Sequence, residues 1–272
     1  MLEKKLADLK RILKSMESVV IAFSGGVDST FLSKVAFDVL KDKAFAVTAT
    51  SATYPQAEFE EAKKLAKEIG IRHEVIVSEE LDIPEFASNP TNRCYYCKSE
   101  LFRKLREVAD QYGFKYVADG SNLDDLSDYR PGMQAANELK VRSPLKEAQL
   151  TKADIRELSK QMNLPTWNKP SFACLASRFP YGSSITREKL TTIDKAEQFL
   201  RELGIRQLRV RHHDSIARIE VSKEDMAKFV ADGIRERIVE KFKELGYTYI
   251  TLDLGGYRMG SMNEEMARWQ KG

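Results

Sequence analysis

Ser24-Gly25-Gly26-Val27-Asp28-Ser29-Thr30 follows an apolar run from Val19 to Phe23 and precedes a helical pattern from Phe31 to Leu40. Strand, glycine turn and helix in that order make a phosphate cradle. The glycines permit backbone angles that a Cβ forbids, and the next helix begins with its free N–H groups and positive dipole end facing the turn. Such a turn suits an anionic phosphate. Ser24, Ser29 and Thr30 add hydroxyl donors, while Asp28 is out of place beside phosphate unless it holds a metal ion or caps the helix. No Lys follows the second glycine at Walker spacing, and the third glycine of the dinucleotide fingerprint is missing, so neither motif is present.

Outward from the turn, strands and helices alternate. Ala44 to Thr50 reads as a strand, Gln56 to Ile69 as a helix with Phe59, Ala62, Leu65, Ala66 and Ile69 on one face, and His73 to Val77 as another strand. Tyr116 to Asp119 is a fourth, ending in Gly120-Ser121-Asn122. This alternation predicts an α/β fold, a parallel sheet with helices on both faces. Ligands of such sheets gather at the carboxyl ends of the strands, where Thr48, Thr50, Ser51, Thr53 and Gly120 lie. Ser78 to Pro90 is a loop, a helix starts at Lys98, and Asp124 to Gly132 is too polar and broken for regular structure. In that loop Asp125 and Asp128 either hold Mg²⁺ or order the chain.

Thr151 and Asp154 fit a capping box. Ile155, Leu158, Met162 and Leu164 give the helix behind it an apolar stripe that Pro165 ends. Residues 168–182 are irregular. A boundary near 184 divides a nucleotide domain, 1–184, from a small α+β domain, 185–272, that binds substrate or builds an oligomer. The small domain reads as helix 186–203, strands 206–213 and 216–222, helix 223–245 and strand 247–254. Alternation turns Leu208 and Val210 inward with Ala217, Ile219 and Val221, and leaves Arg209, Arg211, Arg218 and Glu220 on a charged face.

With 44 Lys plus Arg against 41 Asp plus Glu, the formal charge is +3. That balance does not indicate a general nucleic-acid surface. Leu2, Leu6, Leu9, Leu13 and Met16 recur at helical spacing among charges, so the N-terminus predicts a surface helix, not a secretion signal. No apolar run reaches membrane length. The cysteine count is 3, an odd number. It points to thiol or metal chemistry in a reducing compartment, hence a cytoplasmic protein. Cys94 and Cys97 form a C-x-x-C pair, with Cys174 far along the chain. They fit zinc with His73, His212 or His213 as fourth ligand, a redox couple, a [4Fe–4S] cluster with one open iron, or three small buried side chains.

The glycine turn resembles the SGGxDS signature of the PP-loop ATP pyrophosphatases, a family with GMP, NAD and argininosuccinate synthetases among its members. Four further runs narrow the likeness to the LarE-type sulfur transferases: NRCYYCKSELF (92–102), DGSNLDDLSDYRPG (119–132), KPSFACLASRFPYG (169–182) and LRVRHHDSIARIEV (208–221). These enzymes act in making the nickel-pincer nucleotide of lactate racemase. The resemblance implies that ATP with Mg²⁺ adenylates a carboxylate of pyridinium-3,5-biscarboxylic acid mononucleotide, and that sulfur then replaces AMP. It implies nucleotide contacts from Ser24, Gly25, Gly26, Val27, Asp28, Ser29, Thr30, Thr50 and Gly120, with Asp28 on the metal. It further implies site roles for Ser177, Glu197 and Glu220, and a homo-oligomer. Cys174 matches the position where some members give up their own sulfur. The added pair Cys94 and Cys97 resembles members whose three cysteines carry a [4Fe–4S] cluster that delivers sulfide repeatedly; no donor that reloads it is named by the sequence.

Physical chemistry adds its own roles. Arg178, four residues after Cys174, can lower the thiol's pKa, or be a surface arginine. Arg209 and Arg211 can clasp phosphate and carboxylate as forked donors, or lie on a solvated strand face. Glu197 also fits a charged helix face, and Trp167 and Trp269 read as packing. Competing functions are a PP-loop tRNA thiolase, against which the near-neutral charge argues, a glutamine-fed amidase, which lacks its glutaminase domain here, and a non-catalytic Fe–S or nucleotide sensor.

Overall fold

The computed structural model describes residues 1–127, 131–170, 173–231 and 233–258. Its elements in chain order are α1 (Leu2–Met16), β1 (Val19–Ala22), α2 (Val27–Leu40), β2 (Ala44–Thr50), α3 (Gln56–Ile69), β3 (Arg72–Val77), α4 (Pro84–Ala87), α5 (Arg93–Gln111), β4 (Tyr116–Ala118), α6 (Pro131–Glu138), α7 (Pro144–Glu147), α8 (Lys152–Gln161), α9 (Arg187–Glu202), β5 (Leu208–His213), β6 (Ile216–Val221), α10 (Ile234–Glu244) and β7 (Tyr249–Leu252). Contacts part the chain into two compact units, Met1–Phe86 with Asn92–Phe172, and Ala87–Thr91 with Ala173–Gly272.

The first unit is a four-stranded sheet in the order β3-β2-β1-β4, parallel throughout. β1 lies inside it, and its side chains alternate between two cores. Val19 and Ile21 join Leu9, Leu13, Phe31, Leu32 and Val35 on one face, while Val20 joins Phe45, Val47, Phe102 and Leu105 on the other. A strand covered on both faces needs apolar residues at every position, and each such side chain contributes about 1.5–3 kcal/mol by leaving water. α1 buries Leu9, Leu13 and Met16 as its spacing predicts. None of the helices in the described residues is long and apolar enough to cross a membrane.

Three segments differ from the sequence reading, the first being the expected loop Ser78–Pro90, which holds a 3₁₀ turn, Glu80–Asp82, and α4. α5 begins at Arg93 and not Lys98, so Cys94 and Cys97 sit near its start; the buried positions there include the polar Arg93 and Ser99, which apolar periodicity does not register. The stretch expected to be irregular holds a 3₁₀ turn, Leu123–Ser127, and α6, which opens on Pro131. Proline is preorganised for a first helical turn. Asp128 lies outside the described residues, as does Trp269.

In the second unit the sheet order is β5-β6-β7, antiparallel then parallel. Its core joins Leu208, Val210, Ala217, Ile219 and Val221 to Leu200, Phe242 and Tyr247. Residues 87–91 belong to this unit because Ile185 N–H donates to Ala87 O (2.8 Å), Gly182 N–H to Asn89 O (2.9 Å) and Asn89 Nδ2 to Pro180 O (2.7 Å). The contact division therefore falls between Phe172 and Ala173, ahead of the expected boundary near 184. The single helix expected over 223–245 is a 3₁₀ stretch, Lys223–Val230, and α10, parted by Gly233 at φ 79°.

Candidate active site

Gly25 stands at φ 63°, and a Cβ on it would meet Cα and Cβ of Ala62 at 3.0 Å. Glycine is favoured there, because the left-handed angle strains a side chain and the close approach of α3 leaves a Cβ little room. Gly26 is the N-cap of α2, with no side-chain cap. The Ser29 hydroxyl holds the bend from within, accepting from Ser24 N–H at 3.2 Å, lying 3.1 Å from Ser24 Oγ and donating to Gly26 O at 3.3 Å. Val27 and Thr30 are buried, and Thr30 Oγ1 has no partner among the described residues, so neither presents a group to solvent. From behind, Tyr54 donates its phenol to Ser24 O at 2.8 Å and Lys169 Nζ donates to Gly25 O at 3.3 Å.

Asp28 does not cap the helix. Its carboxylate accepts from Asn122 Nδ2 at 3.3 Å and pairs with the Lys152 ammonium. Gly120 brings β4 against this point, since a Cβ on it would lie 3.1 Å from Ser29 N and 3.3 Å from Asp28 Cβ. β1 is flanked by β2 on one side and β4 on the other. The crevice outside their carboxyl ends is where ligands of such sheets bind. Asp28, an oxygen donor whose negative charge is here met by an ammonium, has the chemistry of a Mg²⁺ ligand shared with phosphates. Asp125 is nine-tenths buried and accepts from Asn122 N–H at 2.9 Å, which orders the loop. Thr50 ends β2, and just beyond it Ser51 and Thr53 donate to Glu80 Oε1 at 2.5 and 2.6 Å.

Cys174, in the second unit, is exposed at the start of a 3₁₀ turn, Leu175–Arg178. Its carbonyl accepts from Ser177 Oγ at 2.9 Å and Arg178 Nη1 at 3.0 Å. Arg178, expected to lend charge to the thiol, is fully buried, and grips the backbone: Nη1 also reaches Ala173 O at 2.7 Å, while Nε and Nη2 form a fork on Glu197 at 2.8 and 2.9 Å. Glu197 in turn accepts from Arg201 at 2.9 Å and from Val210 N–H at 3.0 Å, capping the open edge of β5. Burial raises this carboxyl's pKa, but the charges and hydrogen bonds of its arginines outweigh that and hold it below the usual range.

Arg211 donates to Ser177 O at 2.9 Å and to Glu220 at 2.7 Å, and Arg218 meets the same carboxylate at 3.3 Å. Arg209 packs its guanidinium 5.1 Å from the Tyr257 ring centre and donates to Leu208 O at 2.7 Å. Burial, and then the nearby Arg178 charge, bring its pKa down to about 10. Arg209, Arg211 and Glu220 are 7%, 5% and 0% exposed, so the solvated-face alternative falls for these three, while Arg218 on the same face stays half-buried.

The structure thus joins Cys174, Ser177, Arg178, Glu197, Arg211 and Glu220 into one network, with Ser24 to Thr30, Asp28 and Gly120 forming a second group in the other unit. Cys94 is exposed and Cys97 half-buried, at i and i+3 on α5 in the first unit. The three cysteines are thus divided between the units. Among the described residues no group of three or more His, Cys, Asp or Glu gathers to hold a metal ion. Trp167, expected to pack, is 38% exposed, with Lys160 Nζ 5.2 Å from its ring centre. Tyr54, Lys152, Lys169 and Glu80 were not singled out from the sequence; the place of Tyr54 and Glu80 just past strand ends was the one signal available.

A family model described as NAD synthase matches residues 2–94. An uncharacterized protein of Synechocystis sp. is 47% identical over 98% of this chain and 100% of its own length. The pyridinium-3,5-bisthiocarboxylic acid mononucleotide synthase of Lactiplantibacillus plantarum is 38% identical, covering 99% of this chain and 97% of that one. An uncharacterized protein of Methanocaldococcus jannaschii is 31% identical over 94% and 98%.

Proposed function

The chain belongs to the LarE-type family of PP-loop enzymes, and from that premise we propose that it is an ATP-dependent sulfur transferase. Its substrate is pyridinium-3,5-biscarboxylic acid mononucleotide, and its place is in nickel-pincer nucleotide synthesis. The observation that carries this reading is the pairing, in one chain, of a phosphate turn with an exposed cysteine set over buried arginines.

A carboxylate resists sulfur nucleophiles because its oxygen is a poor leaving group. In the first step a substrate carboxylate oxygen attacks the α-phosphorus of ATP, and the bond to pyrophosphate breaks. The amides of the glycine turn and the α2 dipole stabilise the charge that builds on the departing phosphates. Asp28 would hold Mg²⁺, which would supply Lewis-acid charge there, with Lys152 yielding the carboxylate. In the second step sulfur bonds to the acyl carbon and AMP leaves. Arg209 and Arg211 would receive the anionic ends of the mononucleotide as forked donors by exchanging a present acceptor, Leu208 O for Arg209 and Ser177 O for Arg211, for the ligand. The Arg178 charge beside Arg209 strengthens the pull on an anion there, and Glu220 orients Arg211. Arg178 and Glu197 fix the turn that presents Cys174.

The finer part of the proposal concerns the sulfur. Cys94, Cys97 and Cys174 are the thiols that would carry a [4Fe–4S] cluster, and Cys174 is the one that would be consumed without it. Incubation with ATP, Mg²⁺ and the mononucleotide, with AMP and pyrophosphate measured, tests the activity; no release rejects it. Whole-protein mass spectrometry then separates the sources, since loss of one H₂S means sacrifice of Cys174, and unchanged mass with thiolated product means a delivered sulfide. Anaerobically purified protein without iron would reject the cluster. We also infer a cytoplasmic homo-oligomer, to be checked by fractionation and light scattering.

A further inference from the structure

The back of the phosphate turn is built from two side chains that no motif marks. Ser24 O accepts from the Tyr54 phenol at 2.8 Å, and Gly25 O from Lys169 Nζ at 3.3 Å. In a trans peptide the C=O and the following N–H point in opposite directions. Holding these two carbonyls therefore aims the N–H groups of Gly25 and Gly26 the other way, and neither amide has a partner among the described residues. Successive amides aimed alike make an anion-binding concavity. A peptide between two glycines turns over at little steric cost, so something outside the turn must choose its orientation.

Lys169 is well placed to choose it. Its ammonium is pinned by Glu58 and Glu61, each at 2.8 Å, with the Lys169 and Glu58 side chains 12% and 13% exposed. Those two carboxylates stand behind a turn meant for phosphate, and the ammonium between them offsets a repulsion they would otherwise exert. Tyr54 is kept as a donor, because burial, then the charges of Glu58 and Glu61, push its phenol well above the ordinary range.

We propose that Tyr54 and Lys169 are positioning residues that lock the Ser24 and Gly25 carbonyls outward and so preset the turn's amides for pyrophosphate. The inference rests on the reading of this turn as the ATP site. It is tested on the full chain by calorimetric titration of magnesium pyrophosphate and, separately, adenosine into the unaltered protein and the Y54F, K169M and K169R variants, with thermal unfolding alongside. Pyrophosphate should bind about tenfold more weakly to Y54F and to K169M, a change of ~1.4 kcal/mol each. Adenosine affinity and the unfolding midpoint should stay put, and K169R should restore most of the loss. Unchanged pyrophosphate affinity in both variants would overturn the proposal, as would equal loss of both ligands with a lowered midpoint. Failure of the unaltered protein to bind either ligand would instead remove the ATP reading itself, and this inference with it.

Discussion

Both functional turns of this molecule are held by side chains that donate to backbone carbonyls, yet the two are anchored in different ways. The phosphate turn leans on partly exposed groups, Tyr54 and Lys169, and on the conformational freedom of glycine. The Cys174 turn has no glycine; its Ala173, Cys174 and Ser177 carbonyls are taken by the buried guanidiniums of Arg178 and Arg211, each backed by a fully buried carboxylate. On the proposed function one turn accepts a ligand through its amides, which fits a support that is light and stands behind it. The other, on the same proposal, holds the Cys174 thiol still at the surface, and buried ion pairs make the bed beneath it rigid at a risk: losing one partner strands a charge.

That risk sets the largest expected effect. Glu197→Ala should cost about 3–5 kcal/mol, because Arg178 and the Val210 amide both lose their acceptor inside the fold. Urea denaturation followed by circular dichroism would show it, and a loss below ~1 kcal/mol, the scale of exposed pairs, would erase the contrast between the two turns.

A smaller pair of effects separates glycines. Gly25→Ala should cost roughly 1–2 kcal/mol for the left-handed angle, with more from its contact at 3.0 Å with Ala62. Gly182 has φ 81°, and a methyl placed there would meet nothing within 4 Å. Gly182→Ala should therefore show the angular part alone. Equal midpoints for the two variants would deny that α3 crowds the phosphate turn.

These glycines also explain what the sequence disclosed. The first unit was legible because its determinants are local: strand, turn and helix follow one another, and β2 and α3 keep the predicted bounds, Ala44–Thr50 and Gln56–Ile69. The Cys174 bed depends on contacts between distant residues. Arg178 meets Glu197 nineteen positions on, and Arg211 reaches back to Ser177; no spacing rule announces either. Alternation did place Arg209, Arg211 and Glu220 on one face, but a period of two says only that the face is shared, not that it is buried. Lys169 escaped notice for the same reason, since its acceptor Gly25 lies at the other end of the unit's sequence.

Acid should discriminate the units as well. Glu197 titrates below its ordinary value of 4.5 in the folded protein. Its contribution is therefore complete above that pH and is lost as pH falls through the depressed value. In the first unit Asp154 is depressed too, burial raising it but the bonds from Lys5 and Thr151 together outweighing that, and Glu147 by its bond to Arg142, but both are only partly buried and contribute less. Below pH 4.5 the second unit should therefore loosen ahead of the first, an order that amide hydrogen exchange would resolve, and Glu197→Gln should flatten its pH dependence. Simultaneous loosening would mean that the buried pair does not govern acid stability.

The smallest effect concerns α8, whose first residue, Lys152, pairs with Asp28. Thr151 accepts from Asp154 N–H at 3.2 Å while Asp154 accepts from Thr151 N–H at 3.0 Å, the reciprocal cap expected from sequence. Thr151→Ala should cost about 1 kcal/mol. Because the turn's carbonyls are fixed by Tyr54 and Lys169 and not through α8, pyrophosphate affinity should hold even as the helix end frays and Lys152 wanders. Freer loss of Lys152 from Asp28 should in fact ease metal entry, so magnesium should bind no more weakly. A parallel fall in stability and pyrophosphate affinity would show instead that α8 is part of the turn's support, and the light anchoring ascribed to the first turn would have to give way to a broader one.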